Sequence, residues 1–341
     1  MKSESSTATR PRLVVTVDTE EEGLWGGRFR MTGNTVENIR GIPRFQAVCD
    51  QLGIHPTYLV DAPVVQDDRA SAILAAIHAD GRCEIGTHVH PWCNPPIDDV
   101  LDRQESYLCN LPADLQRAKI EWLTEAIAER FGTRPVSFRA GRYGLDIVGA
   151  RILAELGYRV DSSVIPFTDY SAQGGPDFRR APWQPYRVGG DDLCRPHDAG
   201  SLWEVPVSVG FNRRNFLQAM HCQQRMAQTP LRWLRLEGVL DRTRILRRIK
   251  LSPEQATARD MQTLIDRYCE SASSVLVMMF HSSSLVAGHS PYVQDEVDLD
   301  RFLERIAETC GYLLGPKAGA SCPLAETATD VQLPQDPVAA M

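Results

Sequence analysis

The 341-residue sequence has no run approaching the roughly 18 uninterrupted apolar residues that a membrane-spanning helix requires. It has no CxxC pair. The nine cysteines (Cys49, Cys83, Cys93, Cys109, Cys194, Cys222, Cys269, Cys310 and Cys322) are odd in number and irregularly spaced, which speaks against a disulfide framework or a zinc ribbon. No GxGxxG follows the first apolar run, so a dinucleotide site has no support. No internal repeat marks a solenoid. The start, MKSESSTATRPR, is polar, with neither an apolar h-region nor a cleavage site. It reads as a disordered lead-in over residues 1–11. Thiols scattered in this way suit a reducing compartment, and the cytoplasm is the expected location.

What is present is ordinary for a globular chain, with 43% hydrophobic and 24% charged residues. The net charge of -7 conceals an asymmetry. Between Asn212 and Lys250 stand nine arginines and one lysine against only Glu237 and Asp241. Leu231, Trp233, Leu234, Leu236 and Leu240 interleave the cations, the pattern of an amphipathic helix with a basic face. Two readings stay open. One is contact with an anionic membrane surface, or with a phosphorylated, lipid-linked glycan, placing the protein peripheral to the inner face of the membrane. The other is a solvated face paired with the acidic remainder. Nothing supports nucleic acid, because no recognised motif accompanies the charge.

Short apolar runs alternate with helical patterns, which predicts repeated βα units and a mainly parallel sheet. Strands are expected at Leu13–Val17, Thr57–Val60, Cys83–Gly86, Val136–Phe138, Tyr158–Asp161, Leu202–Val209 and Ser274–Phe280. The last is continuously apolar, as a buried parallel strand should be. Helices are expected from Pro43 to Leu52, Asp68 to Ala79, Pro112 to Phe131, Leu145 to Leu156 and Asp298 to Leu314. Ile120, Leu123, Ile127 and Phe131 form an apolar stripe at spacings of three and four. Seven strands, most of them separated by helices or long excursions, favour a closed or nearly closed α/β barrel over an open doubly wound sheet. The expected organisation is one domain over 12–315, a basic insertion at about 212–250, and a disordered tail over 316–341, where the composition turns to Ala, Pro, Thr and Asp.

Reactive residues collect just past the strand ends, where a β/α barrel gathers its site. Asp18 and Glu20 are one residue apart and point the same way in an extended segment. Such a pair can divide labour, one carboxylate binding a cation and the other acting as base, or it can be a solvated acidic turn continued by Glu21 and Glu22. His88 and His90 also share a side. Only eight histidines occur in the chain, so an HxH directly after a strand reads as a metal site, two imidazoles and one carboxylate leaving positions open for water and substrate. Arg139 follows an apolar strand and needs a carboxylate partner, either Asp18 or Asp161. His281 ends the most hydrophobic strand, as a general acid or as a core-edge histidine.

Together and in this order, the blocks LVVTVDTEEE, EIGTHVHPW, SFRAGRYG, VDSSV and MMFHSSSL resemble the motifs of the polysaccharide deacetylase (NodB-homology) family, carbohydrate esterase family four, over roughly residues 13–315. The pattern is most similar to a divergent bacterial subgroup linked to surface polysaccharide and lipopolysaccharide gene clusters. The resemblance implies a distorted (β/α) barrel of about seven mostly parallel strands holding one divalent metal, zinc. It implies Asp18 as general base. The position after it, usually the metal-binding acid, is Thr19, so the resemblance moves that role to Glu20. His88 matches the first histidine of the second motif. The place of the second, four residues on, is Trp92, which shifts that ligand to His90. Arg139 would orient the base, Tyr143 would offer a backbone N–H to the oxyanion, Asp161 would support Arg139 or tune the acid, and His281 would be the general acid.

The function these roles imply is metal-dependent removal of N-acetyl groups from an N-acetylated sugar in a glycan or glycoconjugate. Trp25, Trp92 and Tyr143 are placed to stack on a sugar ring or simply to pack. Two alternatives remain: a metal-dependent hydrolase of a small cyclic amide or imide, and a non-catalytic glycan-binding relative, suggested by Thr19 and the altered histidine spacing.

Overall fold

The computed structural model describes residues 10–27, 29–97, 104–228, 243–271 and 275–330. In chain order the strands are β1 (Arg12–Thr19), β2 (Thr57–Val60), β3 (Glu84–Val89), β4 (Ser137–Ala140), β5 (Val160–Asp161), β6 (Tyr186–Val188), β7 (Leu202–Glu204), β8 (Val209–Phe211), β9 (Arg248–Lys250), β10 (Val275–His281) and β11 (Ala320–Ser321). The principal helices are α1 (Ile42–Leu52), α2 (Ala62–Gln66), α3 (Asp68–Ala79), α4 (Ala113–Phe131), α5 (Ile147–Glu155), α6 (Phe216–Gln228), α7 (Ala258–Glu270) and α8 (Glu296–Leu314).

β1 is apolar on both faces because both are covered. Leu13, Val15 and Val17 face the helices and join the larger core cluster, while Val14 joins a smaller one with Val160, Trp203, Val205, Val275 and Val277 inside the curl of the sheet. By alternation Thr16 and Asp18 continue the inner face, so the strand carries its first carboxylate to the C-terminal mouth of the interior. β10, β1, β2, β3, β4, β5 and β7 follow one another in parallel, and β6 is added antiparallel to β7. Irregular backbone closes the gap between the two ends. Val207 N donates to Val164 O at 3.1 Å, Ser208 N to Val277 O at 3.2 Å, and Met279 N to Leu251 O at 3.1 Å. The result is a distorted α/β barrel dominated by parallel strands.

Helix ends obey local chemistry. Asp67 accepts from Arg69 N and Ala70 N at the start of α3, and Gly53 and Gly132 end α1 and α4 in left-handed conformation. Phe280 on β10 is fully buried and meets Phe45 of α1 and Phe302 of α8 edge-on, at ring separations of 5.1 and 5.5 Å. Truncating a buried phenylalanine of this kind costs about 3–5 kcal/mol.

Two expectations are corrected and one helix is added. The strand expected over Leu202–Val209 is broken into β7 and β8, and β8 pairs only with β9, in a separate antiparallel ribbon. Pro206 lies at the break and cannot donate to a ladder. Residues 316–330 are not a loose tail: Ala320 and Ser321 pair with Arg12 and Leu13, and Leu324 is fully buried at the N-terminal end of the barrel, beside Thr57. The helix α7 was not expected from the sequence, although Met261, Leu264, Ile265 and Tyr268 form its buried stripe. The interleaved leucines and Trp233 of the basic segment lie outside the described residues, as do residues 1–9 of the expected lead-in. Among the described residues, no helix is long and apolar enough to cross a membrane.

Candidate active site and metal centre

Strand register assembles the site. Asp18 on β1 is in register with His281 on β10, and His88 on β3 is in register with Arg139 on β4. Registered residues on parallel neighbours share a face, so four groups expected to converge from separate strand ends reach one mouth. Glu20 follows Asp18 on the same side, its backbone N–H held by the Ser282 hydroxyl at 3.1 Å. Asp18, Glu20, His88 and His281 wall a cavity of about 300 Å³ with Trp25, Phe29, His90, Ala140, Arg142 and Tyr143, while Arg139 lies buried behind Asp18.

Glu20, His88 and His90 face one another. Glu20 Oε2 lies 3.3 Å from Nε2 of His88 and 3.3 Å from Nε2 of His90, and all three side chains are buried. The outer nitrogens are committed elsewhere. His88 Nδ1 is 3.0 Å from the carbonyl of Arg139, and His90 Nδ1 is 2.7 Å from Glu21 Oε2. A hydrogen-bond acceptor on Nδ1 fixes the tautomer and leaves the Nε2 lone pair free to ligate, the usual support around a metal-binding histidine. These three residues therefore fit a divalent cation. A second group, Glu21, Asp61 and Cys93, also approaches His90. Its donors are already engaged: Trp92 Nε1 donates to Glu21 at 2.6 Å, and Asp61 accepts Val64 N at 2.9 Å and Glu21 N at 2.8 Å. That network buttresses His90.

Electrostatics agree with this division. Burial would raise the Glu20 carboxyl, but His281, His88 and His90 bring it down to about 2. Burial would lower His90, but Glu21 with Cys93 and Glu20 raises it well above an ordinary histidine. The carboxylates thus demand positive charge at this spot, which a cation between Glu20 and the imidazoles would provide.

Arg139 is fully buried, and its NH1 donates to Asp18 Oδ1 at 2.5 Å. Its remaining donors go to Ser162, with Nε on the carbonyl and NH2 on the hydroxyl, both at 2.9 Å. Burial would raise the Asp18 carboxyl, but Arg139, His88 and His281 hold it well below the usual carboxylate range. Asp161 does not take up either expected role by contact. It is in register with Phe138, whose ring joins the helix-facing core, and so lies on the sheet face away from Arg139. There it accepts the Ser163 hydroxyl at 2.6 Å, and that hydroxyl receives Ala140 N at 2.8 Å. Asp161 therefore braces the turn after β4. Burial raises its carboxyl, in a tight pair with Glu204.

The tuning partner of His281 is instead Glu254, which no sequence pattern singles out. Its Oε2 lies 2.9 Å from His281 Nδ1, its Oε1 accepts His281 N at 3.0 Å, and Ser284 Oγ donates to it at 2.7 Å. His281 Nε2 is then aimed at the cavity, 3.9 Å from Asp18 Oδ2. Burial would lower the imidazole, but Glu254, with Glu20 and Asp18, raises it to about 9. No motif announces Glu254. It sits after the short ribbon strand β9, and only the fold turns it toward His281.

Tyr143 belongs to the turn Gly141–Tyr143, where Arg142 (φ 54°) and Tyr143 (φ 60°) are both left-handed. Side chains rarely adopt this backbone, and such strain gathers at functional sites. Of the expected aromatics, Trp25 is 38% exposed at the rim, edge-on to His281, with its Nε1 on Ser283 Oγ at 3.1 Å. Trp92 is 1% exposed and sandwiched between His90 and Phe29, each ring 4.3 Å away. It packs against His90, and both its faces are covered.

No family profile matches the chain, and no curated protein matches it. Solved structures do. A candidate polysaccharide deacetylase from Mycobacterium smegmatis superposes at a TM-score of 0.53 and 16% identity, over 95% of this chain and 90% of that one. The chain has the NodB-type deacetylase fold. A candidate glycoside hydrolase/deacetylase from Parabacteroides distasonis superposes at a TM-score of 0.59 and 12% identity, over 95% and 72% of the two chains. So does a 4-alpha-glucanotransferase from Thermococcus litoralis, at 0.54 and 12%, over 95% and 41%. Proteins named for different reactions thus share this architecture, and function must be argued from the side chains.

Proposed function

We propose that the chain is a metal-dependent hydrolase that removes acetyl groups from an N-acetylated sugar in a glycan or glycoconjugate. The observation that carries this reading is the convergence on one cavity of a Glu20–His88–His90 cluster, an Asp18–Arg139 pair and a His281–Glu254 pair. A divalent cation, zinc for this donor set, would polarise the amide carbonyl and acidify water. Asp18, kept ionised by Arg139, takes the proton of the attacking water. The Tyr143 N–H supports the oxyanion that develops on the carbonyl. His281, kept protonated by Glu254, gives its proton to the sugar nitrogen as the C–N bond breaks, releasing acetate and a free amine.

A complete acid and base beside the ligand cluster argues against a purely glycan-binding relative. The cavity volume of about 300 Å³ admits one sugar ring, and it equally admits a small cyclic amide or imide, which stands as the second reading. Acetate release across N-acetylated sugars, glycans and lipid-linked intermediates, run beside ring opening of cyclic imides, tests both. Turnover of an acetylated sugar, reduced about 10²–10⁴-fold in Asp18→Asn, is expected. Turnover of imides alone would move the assignment to the second reading. Contact of the basic segment with an anionic membrane surface is a separate proposal, and absence of sedimentation with anionic vesicles at low salt would remove it.

A further inference from the structure

Behind Tyr143 lies a second recess, of about 180 Å³, whose wall carries Thr168, Tyr170, Arg247, Arg248, Lys250 and Gln255. Tyr143 touches two residues of its wall, Tyr170 and Lys250. Its ring lines the candidate active-site cavity and stacks on Tyr170 at 6.1 Å, and its hydroxyl receives Lys250 Nζ at 2.9 Å. The recess is cationic. Arg247 is matched by Asp260, at 3.0 Å. Arg248 and Lys250 are not: Arg248 donates to the carbonyl of Phe167 at 2.7 Å, and among the described residues no carboxylate pairs with either cation. Glu254, the acid nearest in sequence, is turned away to His281 and Ser284. Burial pushes the Lys250 amine down to about 8 despite the pull of Glu254 and Asp18, so its positive charge is under-compensated. An exposed guanidinium and a half-buried amine, side by side on one recess and neither in contact with a carboxylate, favour an oxyanion there.

We infer that the recess bounded by Arg248, Lys250 and Tyr170 is an anion subsite, and that the acetylated glycan carries a phosphoryl or carboxylate group that binds in it. The inference deepens the deacetylase reading and rests on it for the identity of the substrate. It also accounts for part of the basic segment that the catalytic residues leave unexplained. Arg248 and Lys250 alternate with buried Ile249 on β9, so both point to the same side of that strand. A glycan seated against Trp25 and Tyr143 would then have its charge read one side chain away from the scissile amide.

Two measurements test this, both on the full metal-loaded chain. In the first, inorganic phosphate is titrated calorimetrically into wild type, Arg248→Met, Lys250→Met and Arg248→Lys. Saturable binding by wild type, weakened about tenfold or more in both methionine variants and largely kept in Arg248→Lys, is expected. No binding by wild type, or wild-type affinity retained in both methionine variants, overturns the subsite. In the second, kcat/KM is compared for one N-acetylated glycan in phosphorylated, carboxylated and neutral forms. Wild type is expected to prefer one anionic form through a lower KM, and Arg248→Met to lose that preference; the preferred form distinguishes phosphoryl from carboxylate. Equal kcat/KM for all three forms in wild type overturns the substrate assignment. If none of the glycans is deacetylated, the deacetylase reading fails, and the phosphate titration alone decides whether the subsite exists.

Discussion

Asp18 stands between Arg139 and His281, and the difference between 2.5 Å and 3.9 Å sets its chemistry. Pairing with the buried guanidinium keeps it ionised, and the open oxygen faces the cavity where a proton is to be accepted. His281 is the complementary case, with its proton held by Glu254. The general acid must be protonated to act, so kcat/KM should fall as pH rises through about 9. In Glu254→Gln the charge that stabilises the imidazolium is gone, and that alkaline limb should move to lower pH by about one unit or more. A limb left where it was would remove Glu254 from this role. At this scale the sequence spoke through composition and spacing: scarce histidines in an HxH, and carboxylates two apart. It was silent on Glu254 and Ser162, because nothing local to either residue predicts the strand end it meets. It was ambiguous on Arg139, and register resolved that, since Asp161 points to the other face.

At the scale of elements, the site depends on how closely β3 and the turn after β4 approach. A Cβ on Gly141 would lie 2.3 Å from His90 Cδ2 and 2.8 Å from the carbonyl of Val89. Gly141→Ala should therefore push His90 off Glu20 while the barrel persists, and weaken zinc binding roughly 10–100-fold, by analogy with the loss of supporting groups around metal ligands. Calorimetric titration checks this; unchanged affinity would mean that the turn yields instead. Parallel strands buried on both faces were readable as apolar runs, and capped helices by their Asp, Pro and Gly punctuation. Three-residue β6, β8 and β9 were not. Their pairing depends on distant partners, and runs so short carry no periodicity.

Across the whole molecule, residues 316–330 close the base of the barrel whose mouth holds the site. Their Ala, Pro and Thr content reads as unstructured, yet Cys322 and Leu324 insert into the inner core beside Val14, Trp203 and Val275. Leu324→Ala should cost about 2–5 kcal/mol, read as a lowered denaturant midpoint. A loss below about 0.5 kcal/mol would be that of a surface residue and would return this segment to a loose tail. The cation site at the opposite end of the barrel is the claim on which the reaction depends most. Metal content and zinc affinity, measured on wild type, Asp18→Asn, His88→Ala and His90→Ala, test it directly. One tightly bound zinc per chain is predicted for wild type and Asp18→Asn, with binding lost in both alanine variants. Retention of that zinc by either alanine variant, or no stoichiometric metal in wild type, would contradict it.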